Sequence, residues 1–378
     1  MFQPSKGIEN YTYSPILAIS ISEIQALQEL PDKTKDIILP VFSLKGWATS
    51  KKLENAINKI KEAIGHRPWI ADIDKAFLEK GKIKKITTGK YPREVFDEIE
   101  SLLDHTEGYD QWVNFIRKTP NAVPVVQLGN RNELKLQLEK LTGLDRGIVL
   151  RFTLEHVSSS IYQTVLKTVT ELHIDNIFVI YDYEQISKDF LKYASRVSEI
   201  VKETNKLIPT ALISLSCSSF PSNFANRHAS ENSIYERQLF DKVAKQCEGI
   251  RMIYSDRGSA RAKKIYGGGG VPSPRIDYPL KKEWKFIRKE FENSKAIAPN
   301  EREKLYTAAA KEIISEEYWD KNLQAWGQQY IELTSKGDLH GINSATKSTA
   351  ARLNIHLLQQ AYYDTPSSDI DTDEDWED

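Results

Sequence analysis

Gly249-Ile250-Arg251-Met252-Ile253-Tyr254-Ser255-Asp256-Arg257-Gly258-Ser259-Ala260-Arg261-Ala262-Lys263-Lys264-Ile265-Tyr266-Gly267-Gly268-Gly269-Gly270 is the stretch on which the fold turns. A short apolar run, Ile250–Ser255, ends in Asp-Arg-Gly, and basic residues and a run of four glycines follow. Working back from it, seven similar runs precede: Ser14–Ser20, Ile37–Ser43, Pro68–Asp74, Ala122–Gln127, Gly147–Thr153, Asn176–Asp182 and Pro209–Ser216. They are continuously apolar rather than strictly alternating, as strands buried on both faces are. Segments of helical period stand between them: Ser22–Leu30, Leu53–Ile64, Asn132–Leu141, Ser159–His173, Phe190–Glu203 and Ser233–Gln246.

Eight strand–helix units in one pass predict an α/β fold, a closed (β/α)8 TIM-barrel-like domain whose eighth helix comes late, at Glu301–Leu333. An open doubly wound sheet is the alternative. Against it, no Gly-x-Gly-x-x-Gly turn follows the first strand, and no cofactor is named by any motif. The domain is expected to run from 1 to 363. Residues 75–121 are read as a lid-like insertion after the third strand, with a basic stretch at Lys80–Lys90 and helical patterns at Val95–Leu103 and Gln111–Arg117. Residues 256–300 form a long loop after the eighth strand, and Ala345–Tyr363 reads as a helical C-terminal extension.

Charge is uneven. Asp364–Asp378 holds eight acidic residues and no Lys or Arg, and reads as a disordered acidic tail. Removing these eight from the 53 acidic residues leaves 45 against 52 basic ones, so the body is basic. That balance fits an anionic partner, and it equally fits a solvating tail. No run approaches the roughly 18 apolar residues of a membrane span. Met1–Lys6 lacks the apolar core of a signal peptide. Cys217 and Cys247, without Cys-x-x-Cys spacing, read as free thiols of a cytoplasmic protein.

In a (β/α)8 barrel, polar residues at the C-terminal strand ends surround the active-site mouth. Here those ends supply Asp72, Asp74, Arg151, Asp182 and Asp256 as candidate catalytic residues. Asp72 and Asp74, two apart, should share a strand face. Arg151 interrupts an apolar run, and a charge inside a buried strand needs a partner, with Asp182 or Asp74 the expected one. Four carboxylates suit a hard cation, or else an ion-pair network with the arginines. The seven histidines lack a zinc spacing, so no metal is assigned. The serines at strand ends read best as helix caps, and Cys217 as a small buried hydrophobe.

The loop after the eighth strand offers an anion site. Arg257 and Arg261 present planar forks, Lys263 and Lys264 add charge, and Gly267 and Gly268 let backbone approach a ligand. Trp47, Trp112, Trp284, Tyr91 and Tyr266 lie among Lys and Arg, an arrangement that suits single-stranded nucleic acid.

Three segments carry a family resemblance: Tyr13-Ser14-Pro15-Ile16-Leu17, Glu23-Ile24-Gln25-Ala26-Leu27 and Ile38-Leu39-Pro40-Val41-Phe42. With the order of units up to about residue 363, the chain resembles the phage "beta protein" family. Where that family places an acidic residue after its second strand's Pro-Leu pair, Ser43 stands here. The resemblance implies a phage or defence setting and no particular reaction. Two functions stay open: a phosphate-ligand or nucleic-acid binder at the barrel mouth, catalytic or not, and a non-catalytic protein-interaction module of a phage or anti-phage system.

Overall fold

The computed structural model describes residues 11–224, 228–262 and 271–371. Its strands are β1 (Ile16–Ala18), β2 (Val41–Leu44), β3 (Trp69–Ile73), β4 (Ala122–Pro124), β5 (Ile148–Thr153), β6 (Ile177–Gln185), β7 (Leu212–Ser218), β8 (Ala229–Ser233), β9 (Met252–Tyr254), β10 (Arg275–Pro279) and β11 (Glu283–Arg288). The helices run α1 (Ile21–Gln28), α2 (Asp32–Asp36), α3 (Glu54–Ile64), α4 (Lys75–Thr88), α5 (Val95–Leu102), α6 (Thr106–Lys118) and α7 (Leu134–Thr142). They continue as α8 (Leu154–Ser158), α9 (Ile161–Glu171), α10 (Ala194–Leu207), α11 (Tyr235–Gln246), α12 (Glu301–Ser315), α13 (Trp326–Ser335) and α14 (Ala345–Ala361).

The fold is mixed α/β with parallel sheets. The single closed eight-stranded sheet expected from the sequence is present as two four-stranded parallel sheets, β1-β2-β3-β4 and β5-β6-β7-β9, and neither closes on itself. At the β4–β5 seam one strand, and at the β9–β1 seam both, are only three residues long. Isolated parallel bridges nevertheless join the two sheets at both seams, Val125 with Val149 and Tyr13 with Tyr254. Backbone N–H groups of Val126, Ser14 and Ile16 donate across these seams to the carbonyls of Val149, Tyr254 and Asp256 at 2.9, 2.9 and 2.8 Å.

Alternation along the strands sorts side chains into two environments. One face of every parallel strand feeds a separate buried apolar cluster that includes Ile16, Val41, Ile70, Val123, Val149, Phe178, Leu212 and Ile253. The opposite face packs on the helices. Helix α3 turns Ala56, Ile57, Ile60, Ala63 and Ile64 inward and stops at Gly65, whose φ of 66° favours glycine. Helix α14 is buried along almost its whole length. Gly327 of α13 lets that helix approach α14 closely, since a Cβ there would lie 2.2 Å from the Ala351 carbonyl oxygen.

Several expected elements differ. Residues 75–121 hold three helices, and the basic stretch Lys80–Lys90 lies largely on α4. The expected eighth helix is two, α12 and α13. Trp319 leaves the helical path to pack on Tyr278 (ring centroids 4.9 Å apart), and Asp320 caps the Asn322 N–H. An antiparallel sheet of order β10-β11-β8, absent from the sequence reading, fills the loops after β7 and β9. At the expected acidic tail, residues 364–371 are described: Lys281 Nζ donates to the Thr365 carbonyl at 2.5 Å and Lys33 pairs with Asp371 at 2.6 Å. The rest of that tail, 372–378, lies outside the described residues. Among the described residues no helix is long and apolar enough to cross a membrane.

Candidate functional site

The polar residues lie one alternation step above the apolar cluster. Asp72 follows Ile70 by two residues, Arg151 follows Val149 and Asp182 follows Ile180, so these point to the same side as the cluster, and Arg257, just past β9, joins them through Asp182. Arg151 Nη1 donates to Asp72 Oδ2 at 2.5 Å. Its Nε and Nη2 donate to Asp182 Oδ2 at 3.0 and 2.5 Å. Arg257 Nη2 reaches the same oxygen at 2.6 Å. Asp182 Oδ1 takes the Glu184 N–H at 3.0 Å.

Asp182 is 1% exposed. Burial alone would raise its pKa, but the Arg257 and Arg151 guanidiniums outweigh it and hold the carboxyl at about 2. Burial pulls on Arg151 in the opposite sense, and Asp182 and Asp72 more than offset it, so this arginine stays firmly charged. The two carboxylates and two guanidiniums balance. The cluster therefore fixes the arginines in place rather than creating a large local field.

Ser214 and Ser216 share the Leu212 side of β7. The hydroxyls of Ser214, Ser216 and Ser255 and the Arg257 Nε are buried with no hydrogen-bond partner among the described residues. Polar groups in that position normally have one.

His156, which the sequence reading left among the scattered histidines, sits on α8 beside this cluster. Its Nδ1 accepts the Thr153 N–H at 3.2 Å, which places the ring proton on Nε2. Burial first, then the charges of Lys75 and Arg151, depress its pKa and favour the neutral ring. No sequence spacing marks it. Only its place just after β5 does.

The other predicted residues go elsewhere. Asp74 caps α4, accepting the Phe77 N–H at 2.9 Å, and does not face Arg151. Asp256 follows Tyr254 by two, so it lies on the helix-facing side of the wall. There it accepts from Tyr254 Oη at 3.0 Å, His356 Nε2 at 2.6 Å, the Gly258 N–H at 2.7 Å and Tyr13 Oη. Burial opposes its ionisation, but His356 and these hydrogen bonds keep its pKa below the usual value. Arg261 Nε donates to the Pro221 carbonyl at 2.9 Å, apart from Arg257. Lys263, Lys264, Gly267 and Gly268 lie outside the described residues, as does Tyr266.

Of the expected stacking aromatics, Trp112 and Trp284 are core residues, their indole N–H groups bonded to the Val125 carbonyl and to Ser259 Oγ. Cys217 is buried and its thiol pKa is pushed well up by burial, so it is a poor nucleophile. Among the described residues no group of three or more His, Cys, Asp or Glu is arranged to hold a metal ion.

Comparison with known proteins adds a lineage to this geometry. The family model described as "Beta protein" matches residues 13–362. "Protein beta" of Enterobacteria phage P4 is 27% identical over 361 residues, covering 93% of this chain and 93% of its own length.

Proposed function

The chain belongs to the Beta protein family and is phage-related, and on that premise we propose that its eight parallel strands act as one (β/α)8-like wall that binds a phosphate-bearing ligand above the Asp72–Arg151–Asp182–Arg257 cluster. The observation that carries this reading is Arg257. Of its five N–H donors, one nitrogen engages Asp182, while its Nε is buried without a partner among the described residues. Asp182 holds this guanidinium at the strand ends, and the Ser214 and Ser216 hydroxyls stand on the same side of the neighbouring strand. A phosphate oxygen accepts from such forks and hydroxyls at little reorganisation cost. His156, neutral near pH 7, adds a proton carrier at the rim, so the same site suits either binding or phosphoester chemistry. The basic body of the chain steers anions, nucleic acid included, toward it.

The test is calorimetric titration of pyrophosphate, a nucleoside triphosphate and a short single-stranded oligonucleotide into the protein and into Arg257→Ala, with circular dichroism as the fold control. At least a tenfold loss of affinity in the variant is expected. Equal affinity in both proteins rejects the reading.

A protein-interaction module of a phage or anti-phage system is the second reading. It is favoured by Ile83 and Ile86, 64% and 85% exposed on the lysine-rich α4. Ile83→Asp with Ile86→Asp would then abolish partner capture while leaving anion binding intact.

A further inference from the structure

We propose a second anion site, separate from the Asp182 cluster, in which Arg261, Arg275 and Arg352 converge on the segment Phe220–Phe224 to bind one phosphate group. The three arginines come from distant places: the loop after β9, strand β10 and helix α14. One five-residue segment gathers them. Arg352 Cζ lies 4.2 Å from the Phe220 ring centroid, Arg261 Nε donates to the Pro221 carbonyl at 2.9 Å, and Arg275 Cζ lies 3.5 Å from the Phe224 ring centroid. The two rings are 5.7 Å apart.

Charge is the decisive quantity. Asp277 is the carboxylate that answers this group, reached by Arg352 Nη1 at 2.6 Å and by Arg275 Nε at 2.7 Å. Arg261 bonds to a neutral carbonyl. Among the described residues three guanidiniums thus face one carboxylate, an excess of two positive charges. Arg288, opposite Arg275 across the β10–β11 ladder, is paired with Glu290. Burying like charges together is costly unless a counter-charge joins them. Arg352 is 5% exposed, and its Nε is without a partner among the described residues. Burial, and next Arg275, lower the pKa of Arg261; burial lowers that of Arg352, where Asp277 opposes the shift and Arg275 and Arg261 add to it.

The aromatic faces orient two forks, each of which gives one edge to Asp277, and the Arg352 Nε is left without a partner among the described residues. A dianionic phosphate matches both the excess charge and the number of converging donors. Free phosphate, a pyrophosphate and a nucleic-acid backbone share that chemistry. The antiparallel sheet β10-β11-β8 and helix α14 build this site, whereas the parallel strands build the Asp182 cluster, so the two need not be occupied together.

The experiment measures binding of inorganic phosphate, pyrophosphate and a short single-stranded oligonucleotide by calorimetry and by the rise in Tm that each causes. The proteins are wild type, Arg261→Ala with Arg275→Ala, Arg261→Ala alone, and Arg257→Ala. Supporting results are saturable binding of at least one probe and a tenfold or greater loss, in the double variant, of a binding event distinct from the one that Arg257→Ala removes. Which probe binds tightest identifies the source of the phosphate. Should the double variant fail to fold, Arg261→Ala serves instead, because among the described residues that side chain hydrogen-bonds a backbone carbonyl alone, and a loss of threefold or more is then expected. No saturable binding to wild type overturns the proposal. So does unchanged binding in the Arg261 variants, or equal loss in the Arg257 and Arg261 variants, which would indicate one continuous site.

Discussion

Asp256 and His356, 100 residues apart in sequence, meet at 2.6 Å with neither side chain exposed to solvent. The pair ties the last long helix to the end of β9. Removing one member of a buried pair strands the other, at a cost of about 3–5 kcal/mol.

His356→Ala is therefore expected to lower the urea midpoint sharply, and His356→Gln, which keeps a donor near Asp256, to do so less. Because the Asp256 pKa is depressed, its contribution exists above the unfolded carboxylate pKa and is lost as pH falls through the folded one. In Asp256→Asn that part of the acid sensitivity should vanish. Equal midpoints for wild type and His356→Ala would show that the pair carries no stability.

Asp182 gives a second acid transition. Its pKa moves from 3.8 to about 2 on folding. The stabilisation is full above pH 3.8 and disappears as pH falls toward 2. One to two pKa units correspond to on the order of 2 kcal/mol. Asp182→Asn should lose this contribution at neutral pH and also leave two arginines underpaired, so its Tm at pH 7 should fall while its Tm below pH 2 approaches that of wild type. Denaturation curves at both pH values decide it.

Glu236 has the opposite sign. Burial, and next the Asp256 charge, raise its pKa from 4.5 to about 8, although Ser219 donates to it through its hydroxyl and its N–H. A carboxyl raised on folding stabilises fully below pH 4.5, and that contribution is lost as pH rises to about 8. Glu236→Gln should remove this slope and be more stable than wild type at pH 9, with a smaller difference at pH 5. A variant that keeps the wild-type slope between those pH values would refute the assignment.

Much of this was legible from residue order. Strand alternation applied to Ile70-Ala71-Asp72 and to Val149-Leu150-Arg151 puts a carboxylate and a guanidinium on one side, and a charge inside an apolar run asks for a partner. Asp256 and Arg257 lie past β9, and their different partners, His356 and Asp182, rather than strand alternation separate them. Asp74 defeated it because it lies past the strand, where the chain has begun the turn into α4. The Arg275–Asp277–Arg352 contact was not legible, since 75 residues separate Asp277 from Arg352 and only tertiary packing joins them. Strand β8, Ala229–Ser233, carries no apolar pattern and is made a strand by pairing, whereas the alternation Glu283-Trp284-Lys285-Phe286 of the central strand β11 was there to be read within the long loop.

The β9–β1 seam has a consequence for synthesis. Tyr13 must find Asp256, 243 residues later, and the Asp256 carboxylate is not fully bonded until His356 has arrived. A ribosome delivers the N-terminal end first. The strand edge around Tyr13 and Ser14 is therefore translated long before its mate, and during that interval it is an unpaired template open to chaperones and to other nascent chains. Closure of the seam is a late event, so slowing translation should extend the vulnerable period rather than assist folding.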